Sequence, residues 1–202
     1  MLRKRIIFTL VYENGFFNQS RNFRLQKVGN ISWLEKNYKF KDIAFSLDEL
    51  IVLNASKDKK NIQEFGKILS ELVNDVFIPI AAGGGIRTVE DAKFLFKNGA
   101  DKLVINAILY EKPDLVKELV KIYGSQSLVA CIDYKKIDEI NKIFINDGRK
   151  EIEFTLEEYL EYVQSLGVGE IYFNSIEKDG TGFGYDMETI EQISDIVKIP
   201  LI

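Results

Sequence analysis

The stretch IPIAAGGGIRTVEDAKFLFKNGADKLVIN, residues 78–106, decides the fold. It opens with a short apolar run and three glycines, and it closes with a second apolar run, KLVIN, at 102–106. Between them, VEDAKFLFKNG (89–99) has a helical spacing of apolar residues, acids in its first turn and a glycine at its end. The stretch therefore predicts a strand, a tight loop, a helix and a second, parallel strand.

The same alternation of strand-like and helical segments runs through the 202 residues. The strand-like runs are 5–10, 48–54, 78–82, 102–106, 127–133, 170–176 and, at the end, 199–202. Helical periodicity marks 60–75, 89–99 and 156–167. The strand-like runs are apolar on both faces, which is typical of a buried parallel sheet. We therefore predict an α/β fold in one domain over 1–202, with a small hairpin inserted at 134–151 that turns near Asp138–Glu139.

An internal echo indicates a barrel rather than an open sheet. Glu49 and Glu170 begin similar runs and lie 121 positions apart, and Ile78 and Ile199 have the same spacing. Two anchors at one spacing favour a duplicated half-barrel, and hence a (β/α)8 TIM barrel of the phosphate-binding type. The second copy stops at Ile202, so we expect about six and a half βα units, with the last ones missing. A doubly wound open sheet is the alternative, and it leaves the echo unexplained.

The composition excludes several classes of site. There is no histidine, which removes histidine bases, Ser-His-Asp triads and histidine metal ligands. The one cysteine, Cys131, lies in an apolar run, so we expect neither a disulfide nor a thiolate metal site. This cysteine content predicts a location in the reducing cytoplasm. The net charge of −4 argues against a nucleic-acid partner, and no apolar run is long enough to cross a membrane. Neither a metal nor an organic cofactor is indicated.

Two strand ends carry residues suited to an anionic ligand. Gly83, Gly84 and Gly85 follow a buried strand and precede a helix, where backbone N–H groups can approach a phosphate closely. The alternative is a tight βα turn without a ligand. Asn106 ends the next strand, and it either binds a ligand phosphate or caps the following helix.

Two later strand ends carry carboxylates. Asp133, in CIDYK (131–135), follows a long apolar strand, where a general acid or base of a barrel would lie. Asp179 lies in the glycine-rich stretch NSIEKDGTGFGYD (174–186). The alternatives are a loop-capping aspartate at the first position and a flexible loop without chemistry at the second.

Taken in order, these motifs resemble the cyclase subunit of imidazole glycerol phosphate synthase. The resemblance rests on RII, GGGI, GADK-x-x-IN, ID after GSQ, and SI-x-x-DGT-x-x-GYD, and it covers the chain except for 16–46. It implies a barrel that forms a heterodimer with a glutaminase, a class I amidotransferase, and uses its ammonia on a phosphorylated small molecule. It also implies that Asp133 and Asp179 are catalytic, and that Ser175 and Gly180 join the glycines and Asn106 in binding phosphate or substrate.

The chain departs from that family's pattern on the catalytic side. The family's first-strand aspartate falls on Val11, whose isopropyl group cannot carry a proton. A lysine expected shortly afterwards falls on Gln19, and the acid usual at the end of the second strand falls on Asn54. Whether such a lyase-type cyclase remains an enzyme is left open by the sequence.

The ammonia entrance implied by the resemblance is intact. Its four charged positions match Arg5, Glu49, Lys102 and Glu170, and Asp101 matches a residue that faces the glutaminase. Each charge alone would be ordinary at a strand end. A barrel that keeps this entrance but has lost the first-strand aspartate resembles an offshoot of the family that works with a glutaminase to amidate a surface sugar. That resemblance implies an ammonia-channelling barrel that supports amidation of a surface sugar. The alternatives are an imidazole glycerol phosphate synthase cyclase of L-histidine biosynthesis and a non-catalytic partner that docks on and activates a glutaminase.

Overall fold

The computed structural model describes residues 4–39, 42, 45–57 and 60–202. They fall into two compact units, the first extending to Gln19 and resuming over Leu25–Val104, the second comprising Ser20–Arg24 and Ile105–Ile202. The single domain expected over 1–202 stays a prediction.

The first unit is built on a parallel sheet. Its strands are β1 (Ile7–Glu13), β2 (Phe16–Arg21), β3 (Arg24–Gly29), β4 (Glu49–Asn54), β5 (Ile80–Gly83) and β6 (Lys102–Ile105). The last two residues of β2, the first of β3 and the last of β6 fall in the second unit. β4 pairs in parallel with β1 and with β5, and β5 pairs in parallel with β6. β2 runs antiparallel to β1. The sequence did not predict β2 and β3, because their residues are mostly polar and form no apolar run.

Over the described residues, the first unit contains the helices α1 (Ile31–Tyr38), α2 (Ile62–Asp75) and α3 (Val89–Lys97). α2 begins where the Asn61 side chain accepts a hydrogen bond from the Glu64 N–H, and its periodic apolar residues are buried. Thr88 and Asp91 form a capping box at the start of α3. The predicted helices at 60–75 and 89–99 are thus confirmed, and local caps set their first residues.

The second unit combines parallel and antiparallel pairing. Its strands are β7 (Leu128–Ile137), β8 (Ile140–Ile145), β9 (Lys150–Ile152) and β10 (Glu170–Ser175). Its helices are α4 (Ala107–Glu111), α5 (Pro113–Tyr123), α6 (Leu156–Ser165) and α7 (Met187–Ile193), with a 3₁₀ turn at Ser125–Ser127. β7 pairs in parallel with β10 and antiparallel with β8, which pairs with β9. The hairpin turning at Asp138–Glu139 is confirmed, since both residues have the positive φ of a tight turn.

Alternating parallel strands and helices confirm the predicted α/β class, and this order is that of TIM-barrel-type folds. In such folds the carboxyl ends of the strands carry the functional side chains. The relevant ends are those of β1, β4 and β5 in the first unit and those of β7 and β10 in the second. Among the helices of the described residues, none is both long and apolar enough to cross a membrane.

The packing of α2 makes a stability prediction. Phe65 is fully buried, with its ring centroid 5.6 Å from that of Tyr12, whereas Phe77 is 87% exposed. Phe65→Ala should lower the free energy of unfolding by about 3–5 kcal/mol, because it leaves a cavity. Phe77→Ala is the matched control and should change it by less than about 0.5 kcal/mol. Chemical denaturation measures both, and equal effects would contradict this packing of α2.

Candidate functional site

Asp133 lies near the carboxyl end of the parallel pair β7–β10 and is only 5% exposed. In the register Asp133 is paired with Asn174, and Cys131 shares its face of the sheet because it lies two residues earlier. The Asn174 Nδ2 donates to Asp133 Oδ1 at 3.2 Å, and the Cys131 thiol donates to the same oxygen at 3.4 Å. The carboxylate is therefore held from its own strand and from the neighbouring one.

Asn106 holds the second oxygen of Asp133. Its Nδ2 donates to Asp133 Oδ2 at 3.2 Å and to the Cys131 carbonyl at 3.0 Å, while its Oδ1 accepts from the Asn146 N–H at 3.3 Å. These bonds fix which way the amide faces. Asn106 occupies the N-cap position of α4, as the capping alternative expects, but its side chain makes no capping bond to the helix. Binding of a ligand by Asn106 stays a prediction.

Burial raises the pKa of Asp133 to about 7. The hydrogen bonds from Cys131 and Asn174 act in the opposite direction, and the nearby charges of Asp147 and Asp179 raise the pKa further. Burial likewise raises the pKa of the Cys131 thiol, so the thiol stays protonated and able to donate. Near neutral pH, Asp133 can therefore both take up and release a proton.

Asp179 has a different environment. Its Oδ2 accepts from the Ser20 hydroxyl at 2.5 Å and from the Phe23 N–H at 3.0 Å. The predicted catalytic carboxylate is thus engaged with the segment Ser20–Arg24, and proton transfer by it stays a prediction.

Ser175, predicted to bind a phosphorylated ligand, lies on the opposite face of the sheet from Asp133. It is paired with Tyr134, and its side chain hydrogen bonds with the Tyr134 side chain. Burial raises the pKa of Tyr134 to about 12, and its hydroxyl donates to Asp186 Oδ2 at 3.0 Å. The structure does not bring Ser175 into the group of side chains around Asp133.

The three glycines lie in the first unit, at the end of β5. Gly84 and Gly85 have φ of 95° and 89°, in the region that favours glycine. A Cβ at Gly84 would overlap the carbonyl oxygen of Asn54, and one at Gly83 would press on Val104. Close backbone approach therefore explains the glycines of this turn, and phosphate binding stays a prediction.

At the carboxyl ends of β1 and β4, the two residues in register with Gly83 are apolar. Val11 is paired with Leu53, and Leu53 is paired with Gly83, so all three share a face. Asn54 is on the other face, paired with Tyr12. It is 2% exposed, and its Oδ1 accepts from the Ser56 N–H at 3.1 Å. Gln19 is exposed on β2.

A charged cluster lies at the opposite, amino ends of the first unit's strands. Glu49 Oε2 accepts from Arg5 at 2.9 Å and from Lys102 Nζ at 3.0 Å, while Glu49 itself is 3% exposed. Its Oε1 has no hydrogen-bond partner within the part of the chain that the structure describes. Three of the four predicted entrance residues are thus in contact, and Glu170 begins β10 in the second unit.

Asp101, predicted to face a partner, has a structural contact of its own. It is exposed, and its Oδ2 accepts from the Ile80 N–H at 2.8 Å. This bond anchors the start of β5, and contact of Asp101 with a partner stays a prediction.

A family model described as "Histidine biosynthesis protein" matches residues 23–202. The chain belongs to the histidine biosynthesis protein family. Across its full length it is 43% identical to a protein of Parasynechococcus marenigrum named as imidazole glycerol phosphate synthase subunit hisF2, covering 75% of that protein. It is 37% identical to the imidazole glycerol phosphate synthase subunit HisF of Petrotoga mobilis and 36% identical to that of Chlorobaculum tepidum. The match covers 80% of the first protein and 79% of the second.

In this member of the family, sequence reasoning missed the donors around Asp133. The sequence shows Cys131 only as part of an apolar run, and nothing in it singles out Asn174. The parallel register that brings Asn174 beside Asp133 is a tertiary property with no local signal. The alternation Cys-x-Asp within β7 could have predicted that the thiol and the carboxylate share a face.

The raised pKa of Asp133 in this family member predicts a pH dependence of stability. Between the ordinary pKa of 3.8 and about 7, the folded chain holds a proton that the unfolded chain releases. As the pH rises through this window, the free energy of unfolding should fall relative to Asp133→Asn, by on the order of 4 kcal/mol.

Denaturation of both proteins at each pH measures the difference, and Asp195→Asn, at an exposed position, is the control. A difference independent of pH would contradict the raised pKa.

Proposed function

We propose that this chain is a barrel subunit of the imidazole glycerol phosphate synthase type, which takes ammonia from a glutaminase partner and uses it on a phosphorylated ligand. The observation that carries the proposal is Asp133, buried, oriented by three donors and able to exchange a proton near neutral pH. A general acid or base in such chemistry needs this combination of fixed geometry and matched pKa.

The charged cluster supports the ammonia part of the proposal. Glu49 lies between two cations at the amino ends of the strands and keeps one oxygen without a hydrogen-bond partner among the described residues. A buried carboxylate oxygen in this state can accept a hydrogen bond from a small donor such as ammonia. The relatives named above are subunits of a synthase, which favours a partner subunit for this chain as well.

Amidation of a surface sugar is the second candidate, and Val11 is the observation that favours it. Val11 and Leu53 place apolar side chains in register with Gly83, where the family's pattern has a carboxylate, and the next carboxylate on this face of β1 is Glu13, two residues further along the strand. The names of the relatives favour the synthase instead. A partner that only docks on a glutaminase would have no need of Asp133 and its three donors.

The ammonia entrance is tested by comparing two nitrogen sources. Lys102→Met removes one of the two cations on Glu49, so glutamine-driven turnover in complex with the glutaminase should fall by about tenfold. Turnover driven by ammonium chloride should stay within about twofold. Lys97→Met, at an exposed position on α3, is the matched control. Equal losses with both nitrogen sources would remove Lys102 from the entrance.

The synthase activity is tested with ammonium chloride and the ribulosyl nucleotide substrate of the histidine pathway. The native protein should form the imidazole product, and Asp133→Asn should abolish its formation. Val11→Asp supplies a second acid and should raise the rate by about tenfold or more. Val11→Asn is the control, because asparagine has the same shape as aspartate but lacks an acidic proton. No product from a folded protein that still stimulates a glutaminase would favour the sugar-amidation role.

A further inference from the structure

The loop after β10 holds the segment Ser20–Arg24 through several polar contacts. Besides the two bonds to the Asp179 carboxylate, the Asp179 carbonyl accepts from the Asn22 N–H at 3.0 Å. The Asn22 side chain donates to the carbonyls of Ile176 at 3.2 Å and Glu177 at 2.8 Å. Every one of these bonds joins parts of the chain more than 150 residues apart.

The backbone of Ser20–Arg24 depends on these contacts. Asn22 and Phe23 are consecutive non-glycine residues with φ of 52° and 60°, a conformation that costs free energy for L-residues. Such a turn persists when its surroundings hold it in place. The Asp179 carboxylate and the carbonyls of the loop provide that hold.

Gly180 shows how closely the two segments approach. A Cβ at this position would overlap the carbonyl oxygen of Ser20, and its φ is 64°. The glycine was predicted to bind phosphate or substrate. In the structure its missing side chain is what allows the loop to lie against the turn.

A continuous series of contacts joins this turn to Asp133. The Phe23 ring lies against Gly148, where an added Cβ would come within 2.9 Å of it. Gly148 shares a tight turn with Asn146, whose N–H donates to Asn106, and Asn106 donates to Asp133. Displacement of Phe23 would thus remove one packing contact from this turn, which the Asn146 side chain also holds by donating to Glu111 Oε1 at 3.2 Å.

We infer that Asp179 is a positioning residue: it seats the Ser20–Arg24 turn, and through Phe23 and Asn146 it keeps Asp133 oriented, while transferring no proton itself. The inference rests on the proposed function as far as Asp133 acts in catalysis. Its structural part, the seating of the turn, stands independently of any activity.

The two roles of Asp179 are separated by comparing Asp179→Asn with Asp179→Ala. Asparagine keeps an oxygen that can accept from both Ser20 and Phe23 but has no acidic proton, and alanine has neither. Glu177→Ala is the matched control: its carboxylate lies in the same loop and accepts from the Lys136 N–H, not from the turn. The full chain is used for all variants.

Hydrogen exchange gives the readout that needs no activity. The amides of Asn22 and Phe23 should exchange at least about tenfold faster in Asp179→Ala, and within about threefold of the native rate in Asp179→Asn and Glu177→Ala. Unchanged exchange in Asp179→Ala would overturn the inference, because the turn would then be held without the carboxylate.

Turnover with ammonium chloride gives the second readout. Asp179→Asn should keep kcat within about threefold and retain the native pH profile, while Asp179→Ala and Ser20→Ala should both lower kcat. If Asp179→Asn lost turnover while its turn amides stayed protected, Asp179 would be an acid or base and the inference would be wrong. Absence of turnover in the native protein would refute the proposed function, and hydrogen exchange would still decide the seating of the turn.

Discussion

A carboxylate can remain buried only where its oxygens are hydrogen bonded or its proton is retained, and Asp133 meets both conditions. Its oxygens accept from Asn106, Asn174 and Cys131, and burial raises its pKa to about 7. The parallel register of β7 and β10 brings Asn174 opposite it, and the turn containing Asn146 fixes Asn106. Much of the second unit is therefore organised by the need to hold one acidic side chain.

The two ends of the first unit's strands have opposite chemical character. Charge is concentrated at the amino ends, where Glu49 binds Arg5 and Lys102. At the carboxyl ends, Val11 and Leu53 place apolar side chains in register with the glycine turn. Membership of the histidine biosynthesis family explains why both ends carry recognisable motifs. The substitution at Val11 is where this chain differs most from the catalytic pattern that its motifs resemble.

The sequence predicted the parallel strands and the main helices, because buried strands need continuous apolar runs and surface helices need periodic ones. β2 and β3 were missed because strands such as Arg24–Gly29 are largely polar. Asp133 was predicted from its position at a strand end, whereas its partners depend on register between distant segments. The contacts of Asp179 could not be predicted either, because they come from a distant stretch of the chain that has no recognised motif.

The contact between Asp179 and Phe23 joins residues 156 positions apart. Closing so long a loop costs chain entropy, which is recovered only after the intervening strands and helices have formed. This contact should therefore be among the last to form during folding. The hydrogen bonds that hold Asp133 and Asn106 join residues no more than 41 positions apart, so the surroundings of this carboxylate should form before the Ser20–Arg24 turn is seated.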